Sequence, residues 1–338
     1  MVFNDTVATY KFYWFLSILD ILVNTNKTKI TFWEIVAVMM SHAWYPSLYF
    51  KIWFGHSDSF HAQLLLVQDY LNIPTEEKTA TIKKKLLDNL EDENLISMME
   101  KFIEHVPYRF LSPWIKWVSK NDSIRKSQSY LNDCLYKIED KTITINPNWK
   151  DYLTENYEIL KDFIYWNLLV FLQKRNPNVP NLASKLIKDS KRESLSTQRK
   201  LWNEYITSVG SIHCIYTNKV IYPKQYDLDH FIPWSFVADN MFWNLIPADS
   251  SINSSKSDNL PDLDRYLPKF AEIHHKALPF FFDRHKDSQV VEDYLSISDS
   301  IPELINLSDD KFFEVFKRQF SPMVQIAENK GFNTMWKL

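Results

Sequence analysis

A chain of 338 residues, 45% hydrophobic and 24% charged, is longer than one compact core usually holds, so two domains or one domain with large helical additions are expected. Its 12 Trp, 17 Tyr and 23 Phe exclude a disordered protein, because rings of that size need a core or a stacking surface. A net charge of −3 neither requires nor excludes a nucleic-acid partner, since phosphate contacts depend on where the positive charge sits.

The two cysteines, Cys134 and Cys214, form no CxxC pair, which argues against a zinc knuckle or a disulfide framework and for a reducing cytoplasm. Three glycines, Gly55, Gly210 and Gly331, are too few and too scattered for a glycine-rich phosphate loop. No basic, apolar and small-residue succession of a secretory leader opens the chain.

In chain order, the first two hundred residues read mostly as helix. Thr31 with Glu34 predicts a capping box ahead of an apolar stretch, Phe32 to Phe54. Glu34, His42, Pro46 and Lys51 interrupt that stretch and would be costly in a bilayer, so it is expected to be a buried helix, and no membrane partner is expected. Ser59 is placed to cap the helix carrying Leu64, Leu65, Leu66 and Tyr70. The run Lys83-Lys84-Lys85 and the run Glu91-Asp92-Glu93 read as solvated faces or turns. The segment from Arg109 to Lys120 mixes aromatic and basic residues, with core packing preferred to a nucleic-acid surface.

Thr142 to Ile145 favours a strand, and Glu139-Asp140 a short hairpin turn before it. Trp149 to Leu172 returns to helix, with Ile159, Phe163, Trp166, Leu169 and Val170 predicted to share one apolar face. Pro177 and Pro180 end it. Residues 174–200 carry eight Lys and Arg against Asp189 and Glu193. Within them Lys188, Lys191, Arg192, Arg199 and Lys200 are candidate phosphate contacts, with a solvated linker as the competing reading. Thr197 to Val209 predicts a helix closed by Gly210. Beyond Pro261 the chain is expected to be helical to Leu338, and its His274, His275 and His285 to be surface residues.

The informative stretch starts at Cys214. Tyr226 to Ile232 reads as a strand containing Asp229-His230; Phe242 to Pro247 reads as a second strand containing Asn244; Asp249 to Ser257 reads as a helix with Asp249 as N-cap. Hydrolysis of a phosphodiester needs a base for water, and a neutral histidine, with unperturbed pKa of about 6.5, serves at physiological pH. It also needs a cation for the developing charge, and a hard ion prefers oxygen donors. Asp229 and Asn253 offer a carboxylate and an amide oxygen, and Lys256, one helical turn after Asn253, can face the same groove. His213 beside Cys214 suggests a nucleophile pair less well than it suggests a packed cysteine, because strand neighbours point to opposite faces. Trp234 and Trp243 read as packing around the motif, with base stacking as the alternative.

This stretch resembles the HNH, or ββα-metal, nuclease superfamily, and within it the HNH domain of RNA-guided CRISPR effector nucleases. The likeness rests on Asp229-His230, on Asn244 fourteen residues after His230, Asn253 nine further and Lys256 three further. DH-x-x-P-x-SF at Asp229–Phe236, KSDN-x-P at Lys256–Pro261 and CIYTNK at Cys214–Lys219 agree with it, with Asn218 standing where such motifs often carry Gly.

The resemblance implies His230 as general base, Asp229 and Asn253 as ligands of Mg²⁺ or Mn²⁺, Asn244 as the residue that holds the loop and orients His230, and Lys256 as an aid at the phosphate. The resemblance covers about fifty residues; with the helical patterns on either side it gives a mainly α fold with a small α+β module: a helical recognition or partner region at 1–205, an HNH module at 206–262 and a helical region at 263–338. It implies DNA hydrolysis to a 5′-phosphate and a 3′-hydroxyl. RNA stays open as a substrate, as does a catalytically silent scaffold that binds nucleic acid or protein. One such site cuts one strand, so a double-strand break would use a homodimer or two encounters. A free-standing bacterial protein of this kind suggests restriction or phage defence, with a defence-system partner protein, by analogy alone. The sequence holds no second nuclease domain and no arginine-rich bridge helix, so RNA-guided targeting is not implied.

Overall fold

The computed structural model describes residues 2–4, 6–186 and 194–338, except the side chains of Asn253 and Ser254. Lys188, Lys191 and Arg192, three of the expected phosphate contacts, lie outside the described residues. The fold is mainly helical with three small antiparallel sheets. Among the described residues no helix is long and apolar enough to cross a membrane.

The chain divides into two compact units, not the three regions expected with boundaries at 205 and 262. One unit comprises residues 1–177 with the helix Leu182–Leu186; the other comprises 178–181 and 194–338. The expected boundary at 262 is corrected because 206–262 and 263–338 bury their apolar residues against each other and share one core. A small module with few residues gains stability by adding helices to that core.

In the first unit, helix α1 (Tyr10–Thr25), strand β1 (Lys29–Thr31) and helix α2 (Phe32–Trp44) follow in succession. Helix α1 ends at Asn26, whose left-handed backbone lets its N–H donate to Leu22 O. Helix α2 begins at the Thr31/Glu34 capping box. The apolar stretch stays helical only to Tyr49, through a π-turn at Tyr45–Tyr49 around Pro46. Helix α3 (Phe60–Leu71) is capped by Asp58, which accepts from Phe60 N at 3.0 Å, and not by the Ser59 side chain. Helix α4 (Thr79–Asp88) packs on α2 and points Lys83 at Asp20, 3.3 Å away, while Lys84 and Lys85 are solvated.

Strands β2 (Tyr136–Glu139) and β3 (Thr142–Ile145) form the expected hairpin, turning at Asp140 and Lys141, both at positive φ. Strand β1 adds to its far edge, a pairing that three residues of sequence could not announce. Cys134 is buried at this sheet, and Tyr136 donates to Pro107 O at 2.6 Å.

The single helix expected over 149–172 is two, α5 (Pro147–Glu155) and α6 (Tyr157–Gln173), broken at Asn156. Its predicted core face is also corrected. Ile164, Leu168, Phe171 and Leu172 face the core, whereas Ile159 and Trp166 are 71% and 65% exposed. Both sets recur at helical spacing, so packing against α1 chose between two apolar stripes.

In the second unit, helix α7 (Ser196–Val209) closes at Gly210, φ 84°, as expected. Strands β4 (Ile212–His213) and β5 (Val220–Ile221) pair around the CIYTNK turn. Asn218 takes φ 60° there, the left-handed conformation that makes Asn an acceptable replacement for Gly. Strands β6 (Asp227–His230) and β7 (Leu245–Ala248) pair antiparallel, Asp229 opposite Ile246 and His230 opposite Leu245. Phe242–Asn244 is a 3₁₀ turn, not the start of the strand. Helix α8 (Ser250–Lys256) follows Asp249, which accepts from Ser251 N at 3.0 Å.

Long helices α9 (Leu263–His285) and α10 (Asp309–Asn329) pack together. Phe270 of α9 and Phe320 of α10 meet Phe231, one residue past His230, at ring distances of 4.4 and 5.1 Å. The chain is not helical to its last residue: Leu260 N donates to Asn333 O and Trp336 N to Leu260 O, so the final segment laces onto the end of the module.

His274 corrects the expectation that the α9 histidines are surface residues. It is fully buried, against Tyr294 Oη at 2.6 Å, while His275 and His285 are part-buried on Asp309 and Glu204. Burial pushes the His274 imidazole down to about 3, offset in part by the Leu245 backbone. The unfolded chain takes up this proton below about pH 6.5 and the folded chain does not until about pH 3. Stability from this residue is therefore complete above about 6.5, is lost as pH falls toward 3, and then levels off. Urea denaturation of wild type and His274→Phe between pH 7 and 4 should show a shallower loss for the variant; equal slopes would mean that His274 is not buried neutral.

Candidate active site

Strand β6 carries Asp229 and His230 at its last two positions, and strand neighbours alternate in direction. Asp229 turns inward and is 3% exposed. A buried carboxylate needs partners for both oxygens. Tyr216, from the turn between β4 and β5, donates to Asp229 Oδ2 at 2.6 Å. Lys256, from the end of α8, places Nζ 3.1 Å from Oδ1 and 2.6 Å from the carbonyl oxygen of His230. Burial first, and then the adjacent carboxylate, push the Tyr216 phenol well above its usual range, so it remains the donor.

The expectation that Lys256 faces the groove and meets phosphate is corrected: its side chain is 1% exposed. Helix α8 lies against β6, and the long lysine reaches inward because an uncompensated carboxylate there would be costly.

His230 is half-buried, and its Nε2 lies 3.0 Å from Asn240 Oδ1. This contact fixes the direction of the ring. Asn240 holds the ring, the orienting half of the task expected of Asn244. Asn244 does the other half and clamps the chain after His230. Its Oδ1 accepts from Ile232 N at 2.8 Å, its Nδ2 donates to Ile232 O at 3.0 Å, and its own carbonyl accepts from Phe231 N at 2.8 Å. Fully buried, it is a structural fastener of the loop.

Asn240 and Tyr216 were missed in the sequence. Tyr216 had a signal, the aromatic inside CIYTNK. Asn240 had none, since it lies in a loop whose path depends on the left-handed Ala238, on Asp239 accepting from Met241 N, and on Asp293 accepting from Phe242 N. Burial pushes Asp293 up to about 6, helped by Asp239 and Glu292.

Lys219 Nζ meets Asp249 Oδ2 at 2.7 Å and ties the β4–β5 turn to the start of α8. Its ammonium, with the Ser251 hydroxyl, holds the Asp249 carboxyl down at about 2. Cys214 is buried and His213 exposed, so they form no nucleophile pair. Trp243 is packed and donates to Ser296 Oγ at 2.8 Å, as a structural ring does.

The donor set suits a hard divalent ion. Each Asp229 oxygen accepts one hydrogen bond, and an ionised carboxylate offers about four lone-pair sites. Asn253 stands on α8 one turn before Lys256, its side chain outside the description. Among the described residues no three His, Cys, Asp or Glu side chains converge.

Tyr216→Phe should cost about 1.5–3 kcal/mol, the value of a hydrogen bond to a charged group. Urea denaturation checks it, and an unchanged midpoint would remove Tyr216 from the Asp229 network.

The HNH endonuclease family matches residues 214–262, so this stretch is an HNH domain. An 88-residue segment is 28% identical to the CRISPR-associated endonuclease Cas9 of Streptococcus mutans serotype c, over 26% of this chain and 6% of that protein. The chain thus matches only a small part of that relative's length. No solved structure matches.

Proposed function

We propose that this HNH domain hydrolyses phosphodiester bonds of DNA with His230 as the general base. The observation that carries the reading is the end of β6. There a histidine ring held by Asn240 stands beside a buried aspartate, inside the stretch that matches the endonuclease family. His230 takes a proton from water as the water oxygen bonds to phosphorus. The bond from phosphorus to O3′ breaks, and the departing oxygen takes up a proton. The products are a 5′-phosphate and a 3′-hydroxyl.

Asp229 and Asn253 would hold the divalent ion, Mg²⁺ or Mn²⁺, which when bound supplies positive charge to the phosphate and the leaving oxygen. Asn244 keeps the loop after His230 in place, and Lys256 balances Asp229. A place in restriction or phage defence rests on analogy with other HNH proteins.

The test is nicking of supercoiled plasmid by the full chain. Open circles should form with millimolar Mg²⁺ or Mn²⁺ and not with EDTA. The second reading is a silent scaffold that binds nucleic acid or protein. It draws on the Lys256 ammonium already neutralising Asp229. Absence of cleavage on plasmid, single-stranded DNA and RNA with either metal would favour it.

A further inference from the structure

We infer that a basic groove on the second unit, at the opposite end of β6 from His230, grips the sugar–phosphate backbone of a DNA duplex. The inference rests on the nuclease reading and adds the surface by which substrate would be held. The groove, about 540 Å³, lies between α7, the loop before β6 and the end of α9. Its four cations are Arg199, Lys200, Lys224 and Arg284. Only Arg199 and Lys200 were singled out from sequence; Lys224 and Arg284 join them through the fold.

None of the four is in an ion pair among the described residues. The acid lining the groove, Glu204, is already paired with His285 at 2.6 Å. Positive charge is therefore left over, and it is positioned. Arg199 donates to Tyr226 O at 2.8 Å, immediately before β6. Lys224 sits at φ 64°, an unfavourable backbone for a lysine, with its N–H donating to Asn203 Oδ1 at 2.8 Å. Arg284 lies over the Phe280 ring, 4.6 Å from its centroid.

Two features choose the partner. First, no aromatic ring is among the described residues that line the groove, so they offer unstacked bases no platform. Single-strand surfaces combine charge with such rings. A groove of cations with hydroxyl and amide groups reads phosphates, as duplex-backbone contacts do. Second, Tyr226 and His230 are four residues apart along the strand, about 13 Å at the usual rise. That is the axial rise of about four base pairs, so one duplex can reach both places.

The test measures binding in EDTA, where no cleavage is expected, with a fluorescent 20-base-pair duplex, the full chain, and NaCl from 50 to 200 mM. In the triple variant Lys200→Gln, Lys224→Gln, Arg284→Gln, affinity should fall at least tenfold. The slope of log affinity against log salt should flatten by about 2–3, or about 0.9 for each phosphate no longer neutralised. A control removing equal charge from α10, Lys311→Gln, Lys317→Gln and Arg318→Gln, should keep the wild-type slope. The labelled single strand should bind more weakly than the duplex.

Equal losses in both triple variants, or an unchanged slope in the groove variant, would overturn the groove. Single strand binding as tightly as duplex would overturn the choice of partner. Wild type that binds with the expected slope but never nicks plasmid would overturn the nuclease reading and leave the groove standing.

Discussion

His230→Ala should cleave plasmid about 10²–10⁴-fold more slowly than wild type at saturating Mg²⁺, the range that a positioned general base contributes. The proposed role puts the loss on the turnover rate and not on DNA affinity, because a general base acts only as water is deprotonated. The side chain is half-buried at the end of a strand, and the hydrogen bonds that hold the following loop come from Asn244, so the variant keeps its fold. Asn240→Ala should give a smaller fall in the same parameter, since the ring remains while its direction is released. Single-turnover nicking with wild type, both variants and added imidazole separates these effects. Imidazole should rescue His230→Ala in part and Asn240→Ala little. Wild-type rates in His230→Ala would assign the base to another residue.

Lys256→Met, measured in EDTA, destabilises the second unit by about 3–5 kcal/mol, the cost of stranding one partner of a buried ion pair. Both side chains are almost fully enclosed, so solvent screening does little to reduce the figure. The double variant Asp229→Asn, Lys256→Met recovers much of the loss, because two neutral groups need no counter-charge. On the proposed ligand role of Asp229, millimolar Mg²⁺ should stabilise Lys256→Met more than wild type, since a carboxylate without its ammonium is the better ligand for a divalent ion. Urea denaturation with and without Mg²⁺ measures all three. A single-variant cost under about 1 kcal/mol would show that the pair is not buried as described. Equal effects of Mg²⁺ on wild type and Lys256→Met would separate Lys256 from the ion site.

The linear spacing of Asp229, His230, Asn244, Asn253 and Lys256 was enough to find the module, because strand, loop and helix within thirty residues leave little choice of local structure. Local chemistry was legible in the same way: the Thr31/Glu34 box, Gly210 closing α7 and Asn218 in its left-handed turn each depend on neighbours within four residues. Direction was not legible. Lys256 could point into a groove or into the core, and its burial followed only once α8 lay on β6 beside an enclosed aspartate. The resemblance implied Asn244 as the orienting amide, whereas the loop through Ala238 delivers Asn240 to the ring.

By itself the sequence determined the HNH stretch, the mainly helical class and local features such as the Thr31/Glu34 box and the stop at Gly210, which are set by residues close together along the chain. The tertiary structure alone decided which of two apolar stripes of α6 is buried, that α9 and α10 share a core with the HNH module, and that His274 is an interior histidine. It also brought Lys224 and Arg284 to Arg199. These depend on segments tens of residues apart meeting in space. A helix apolar on two sides, or a histidine on a long helix, carries no mark of which neighbour will cover it.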